Sequence, residues 1–259
     1  MKTCLSWMKR ILALLIAFGM VSGMIPAAAL NGIDSLLVGA ADVLSGTEEL
    51  DNGYIRVTVS EKNGGFGIRT VAGDKMNKSD NDKYLVYEYD GDNTSFTSFQ
   101  VTRNGVVKEY IFGGTYPDST GVTVTKNGDQ IEAVWSVDDL TFTQYIRLVN
   151  TGSTEHGTVL ISYSVENGGA PADIRCRLLV DTALGYQDYA YYRVSEISVA
   201  VPWIEKETEL GKNGYEKSFY AVNDPDQPGI VAYTINASVD DRECVPYRTV
   251  FGHWNNIAS

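Results

Sequence analysis

The chain has 259 residues, with 33 acidic against 21 basic side chains and a formal net charge of −12. So negative a chain repels phosphate backbones and anionic lipid headgroups, which argues against nucleic acid and membrane surfaces as partners and makes divalent cations the more natural ions. Two histidines in the whole chain leave little material for imidazole catalysis.

Residues 1–29 read as a secretory signal peptide. Lys2, Lys9 and Arg10 give a positive start, residues 11–20 form a short apolar run, and Ala27-Ala28-Ala29 fits a small-x-small cleavage site. The run falls short of the roughly 20 residues that a membrane span needs. Cleavage after Ala29 is therefore expected rather than an uncleaved anchor, and a secreted or cell-surface location follows. No cysteine follows the run to take a lipid, and Cys4 leaves with the peptide. The three cations leave too, so the mature chain is more acidic still. In residues 30–50, Ile33, Leu36, Leu37, Ala40, Ala41 and Leu44 have helical spacing and predict a short helical lead-in.

From Asp51 the apolar period becomes two. YIRVTV (54–59), LVYEY (85–89), FTSFQV (96–101), VVKEYIF (106–112), GVTVT (121–125), IEAVWSV (131–137), LTFTQYIRLV (140–149) and TVLISYSV (158–165) are rich in the β-branched and aromatic residues that strands favour. DIRCRLLV (173–180), FYAV (219–222) and GIVAYTI (229–235) continue the series. Turn signals lie between the runs: NGG (63–65), DGDN (90–93), RNG (103–105), KNGD (126–129) and ENGGAP (166–171). KNGDQ predicts the clearest hairpin. The fold class expected is all-β, a large antiparallel two-sheet sandwich over residues 51–259, supersandwich-like, with no linker to divide it. The chain stops soon after a strand at 247–254, which reads either as truncation of the domain or as a strand that closes it.

Asp80 and Asp82 in KSDNDK, and Asp90 and Asp92 in YDGDNTS, are candidate calcium ligands, because calcium collects carboxylate and loop oxygens. The same residue types also build ordinary turns, and no EF-hand spacing is present. In VDTALGYQDYAYY (180–192), Asp181 and Asp188 flank a turn at Gly185, with Tyr186, Tyr189 and Tyr191 behind them. Carboxylates that accept hydroxyl hydrogen bonds beside rings that stack on pyranose faces would grip a sugar. The plainer reading is a hairpin with tyrosines packed over a sheet. Ala172, Ile174, Cys176, Leu178 and Val180 share the inner face of the preceding strand, which leaves Cys176 either a buried thiol or the partner of Cys244 in a disulfide. His156, His253 and the run Glu205, Glu207, Glu209 complete the ionisable candidates, the last reading as a solvated strand face.

The phrases NGYIRVTVSEKNGGFGIRTVAGDK, YLVYEYDGDNTSFTSFQV and VDTALGYQDYAYY resemble the N-terminal β-rich module of large secreted or cell-surface proteins of anaerobic Gram-positive bacteria. A weaker resemblance is to supersandwich modules of carbohydrate-active enzymes and aldose mutarotases, which work through a histidine and a carboxylate. Neither His156 nor His253 aligns with that pattern, so the activity is not carried over. The resulting expectation is a non-catalytic secreted module that recognises carbohydrate or a surface protein. An accessory or catalytic carbohydrate-active domain and a structural spacer are the alternatives.

Overall fold

The computed structural model describes residues 12–19, 46–71, 81–89, 92–114, 121–149, 157–185, 190–194, 203–204, 207–211, 218–226, 229–235 and 248–252. Among them there is no helix, and the strands pair antiparallel throughout. An eight-stranded sheet runs β10 (Thr123–Asn127), β11 (Gln130–Val137), β12 (Leu140–Val149), β13 (Thr158–Asn167), β1 (Leu12–Gly19), β19 (Val231–Ile235), β18 (Ser218–Val222), β16 (Tyr191–Val194). A five-stranded sheet runs β15 (Thr182–Gly185), β5 (Tyr84–Val86), β4 (Phe66–Thr70), β3 (Ile55–Ser60), β2 (Thr47–Asp51). A three-stranded sheet has β14 (Asp173–Leu179), β8 (Phe96–Arg103) and β9 (Val106–Ile111). Two small pairs, β6 (Glu88–Tyr89) with β7 (Asp92–Asn93) and β17 (Thr208–Gly211) with β20 (Arg248–Phe251), complete it.

The hairpins follow from turn chemistry. Asn104 and Gly105 have φ of 50° and 79°, the left-handed pair that a two-residue turn between β8 and β9 needs. Asn127 faces Gln130 across KNGDQ, with Gly128 at φ 63° supplying the reversal. Alternation then selects the core: Ile131, Ala133 and Trp135 of β11, Phe142 and Ile146 of β12, and Val159, Ile161 and Tyr163 of β13 are buried. Phe99 of β8 stacks on Phe142 with ring centroids 4.2 Å apart and meets Tyr163 edge-on at 5.9 Å. Trp135 in turn packs on Tyr110, Phe112 and Phe142. Leu50, Val57, Phe66, Ile68 and Leu184 of the five-stranded sheet join the same core. Gln144 of β12 donates to the Gly64 carbonyl in the β3–β4 turn at 2.7 Å. Sheets that share one apolar interior in this way are consistent with a β-sandwich.

Two expectations change. Residues 166–171 are not a hairpin: they carry the chain from β13 in one sheet to β14 in another, with Asn167 accepting from Arg103 and the Gly169 amide. The run 85–89 splits at Tyr87, whose amide turns aside to the Asp181 carbonyl. The end of the 30–50 lead-in is extended, since β2 begins at Thr47 and pairs with β3; residues 30–45 lie outside the described residues. Residues 12–19, read as the apolar run of an export signal, form β1, which joins β13 through Leu12↔Tyr163 to Ala17↔Thr158 and β19 through Leu15↔Ile235 to Gly19↔Val231. An uninterrupted apolar octet suits a central strand as well as it suits an export signal. Ala27 to Ala29 lie outside the described residues.

Candidate functional site

The stretch at 180–192 crosses between sheets rather than folding back as a hairpin. β15 pairs with β5 in the five-stranded sheet, whereas β16 pairs with β18 in the eight-stranded one. Gly185, at φ 80°, ends β15 as expected, but the return strand belongs to a different layer. Asp181 is half-buried and brackets the crossing: its carboxylate accepts from the Thr94 hydroxyl at 2.6 Å, its amide donates to Ser95 Oγ at 3.0 Å, and its carbonyl accepts from the Tyr87 amide. Tyr186, Asp188 and Tyr189 lie outside the described residues. Tyr191 opens β16, half-buried, opposite Val222.

β16 presents two faces of different character. Tyr192, with Ala221 and Ala232 opposite it in the neighbouring strands, faces the core, where its ring meets Phe219 and Phe251. Burial raises the Tyr192 phenol above its ordinary pKa; the hydrogen bond with Thr182 opposes this and the Asp181 charge adds to it. The residues on either side, Tyr191 and Arg193, point the other way.

Register then builds a row on that outer face. Arg193 lies opposite Tyr220, and Tyr220 opposite Tyr233. The Tyr192–Ile204 bridge sets Trp203 opposite Arg193 on its free side, held by the Ile204 amide donating to the Tyr192 carbonyl at 2.8 Å. Trp203, Arg193, Tyr220 and Tyr233 thus stand side by side across the 203–204 segment, β16, β18 and β19, all half-buried. The Arg193 guanidinium lies 4.1 Å from the Trp203 ring centroid; Trp203 meets Tyr220 edge-on at 5.7 Å, and Tyr220 lies 5.6 Å from Tyr233. Val222 and Val231, on the same face, are buried and wall the row at one end. Trp203, Arg193, Tyr220 and Tyr233 are functional candidates that sequence reasoning passes over. Tyr-x-Arg in YYRV and single tyrosines in FYAV and VAYTI hint at a face, but only the pairing of distant strands aligns them.

Asp82, at φ 53°, sits 3.4 Å from Arg69 as an ion pair; Asp80 and Asp90 lie outside the described residues, and Asp92 is described by its backbone alone, in β7. Among the described residues no group of three His, Cys, Asp or Glu side chains converges on a metal position. Cys176 packs half-buried against the core, near Tyr163, while Cys244, His156, His253 and Glu205 lie outside the described residues. Glu207 and Glu209 are exposed, and Glu209 pairs with Arg248 at 3.5 Å. A cavity between the sheets, bounded by Leu85, Val86, Thr182, Tyr192, Phe219 and Thr234, holds about 20 Å³. That admits one water and no sugar ring.

In comparison with known proteins, no family model matches the chain, and neither a curated protein nor a solved structure matches it.

Proposed function

We propose that this chain is a secreted or cell-surface module, a two-sheet sandwich of supersandwich type without catalysis of its own, that recognises carbohydrate. The observation that carries the reading is the row Trp203, Arg193, Tyr220, Tyr233 on the outer face of β16, β18 and β19. Tyrosine and tryptophan offer an apolar ring face with a polar edge, the combination that a pyranose presents in mirror form. Tyr191 shares the face, so the expected tyrosine surface and this row meet there. The N-terminal pattern of charge, apolar run and small-residue site supports export, and the resemblance to β-rich modules of Gram-positive surface proteins supports the setting.

The test is a broad glycan array probed with the full chain. Binding is expected, and Trp203→Ala and Tyr220→Ala are each expected to remove most of it. A chain that folds, as judged by a cooperative melt, yet binds nothing across the array would refute the proposal.

A further inference from the structure

Arg193 stands apart from the other described arginines of this acidic chain. Arg56 pairs with Glu49 and Asp51, Arg69 with Asp82, Arg103 with Asp139, Arg175 with Asp173, Arg177 with Glu109 and Arg248 with Glu209. Arg147 is exposed. Arg193 is half-buried, its Nε is enclosed without a hydrogen-bond partner, and its guanidinium lies over the Trp203 ring, with no carboxylate among the described residues beside it. Arg69 and Arg103 also enclose an Nε without a partner, but their terminal nitrogens hold Asp82 and Asp139. A partly desolvated guanidinium that meets only an indole face retains donors in a planar fork, and a carboxylate is the group that such a fork fits.

We propose that Arg193 makes the outer row a subsite for a carboxylate-bearing sugar, a uronate residue within a glycan. This rests on the carbohydrate reading of the same row and sharpens it to a ligand class. The geometry assigns the roles. Tyr220 and Tyr233 lie next to one another along the row and offer their rings to the sugar's apolar face, while Trp203 closes the side and orients Arg193. The guanidinium, placed between Trp203 and Tyr220 by strand register, takes the carboxylate where the ring is held. Exposed charges more than about 8 Å away are largely screened at physiological salt, whereas the Arg193 contact is direct.

The experiment measures calorimetric binding of a short oligogalacturonate and of the same oligosaccharide with its carboxyls reduced, using the full chain. The wild type is expected to prefer the acid by about 10- to 100-fold, the range of a charge-assisted hydrogen-bonded pair. Arg193→Gln is expected to erase that preference and leave binding of the reduced form intact; Arg193→Lys, which keeps the charge and loses the fork, should restore part of it. Equal binding of the two ligands by the wild type, or a preference that survives Arg193→Gln in a variant with an unchanged melt, overturns the inference and leaves the carbohydrate reading standing. Binding of neutral glycans on an array with neither probe bound has the same meaning. No binding to any glycan sinks both.

Discussion

The eight-stranded sheet has two halves of different make. One half, β10 to β13, is a run of sequential hairpins whose Trp135, Phe142 and Tyr163 turn inward, where Phe142 stacks between Trp135 and Phe99 of the opposing sheet. The other half, β16, β18 and β19, joins strands that are not all neighbours in sequence and carries its aromatic row on the outward face. Residue type is the same in both halves. What differs is that the second half also lines up a row of rings on its outward face, and that the cation beside that row is unmatched. Inside, the Tyr163 hydroxyl is satisfied by Thr97 at 2.6 Å and Gln144 at 3.0 Å; outside, Arg193 keeps an Nε without a partner. Aromatic residues with every polar neighbour satisfied stabilise a fold, and aromatic residues beside an unmatched cation are equipped to meet something else.

β1 connects the halves, and removing it is the most severe way to test the comparison. A chain that begins at Leu30 is expected to lose amide hydrogen-exchange protection over residues 158–163 and 231–235, the stretches paired with β1. Unchanged protection there would mean that the halves close on each other without it, and that export and folding do not compete for the same octet. Next in size is Phe142→Ala, which opens a cavity under three other rings; a loss of about 3–5 kcal/mol in urea unfolding is expected. Trp203→Ala should cost only about 1–2 kcal/mol, since the side chain is half-buried, while removing most glycan binding. Comparable stability losses at the two positions would erase the distinction between the halves.

A subtler probe is alkali. Burial raises the phenols of Tyr163 and Tyr192 above their ordinary value of 10.0, well above it for Tyr163. A group with a raised folded-state pKa contributes its full stability below the unfolded pKa and loses it as pH climbs toward the folded value. Melting temperature should therefore hold steady up to about pH 10, the unfolded tyrosine value, and fall beyond it. Tyr163→Phe should flatten that fall, and an identical slope in the variant would refute the assignment. The smallest effect belongs to Asp138. Its exposed carboxylate is held below the ordinary value first by the Lys108 hydrogen bond and then by Tyr110. Its contribution is present above the unfolded carboxylate pKa and lost as pH falls through the folded one. Asp138→Asn should shift an acid melt less than any other change named here.

The sequential half was readable from alternation and turn residues, because each hairpin is a local event: Asn-Gly needs a left-handed turn, and the flanking strands then fall into register. The inner face of β14 was readable for the same reason, with Ala172, Ile174, Cys176, Leu178 and Val180 all packed against the core. The candidate site was not. The signal at 180–192 drew attention to the right stretch and to Tyr191, but its tyrosines alone do not reveal that β15 and β16 part into different sheets. The calcium candidates rest on loop composition; of the four, Asp82 pairs with Arg69, and Asp80 and Asp90 lie outside the described residues.

Local chemistry along the chain was enough to dictate strands, their inward faces and the tight turns, since a period of two and a positive φ are properties of a few adjacent residues. Which strands become neighbours is a matter of long-range pairing, which balances buried apolar area against backbone hydrogen bonds over the whole molecule. That pairing seats an apolar octet between β13 and β19 and brings Arg193, Tyr220 and Tyr233, from three separate strands, into one row with Trp203 of a bridged segment.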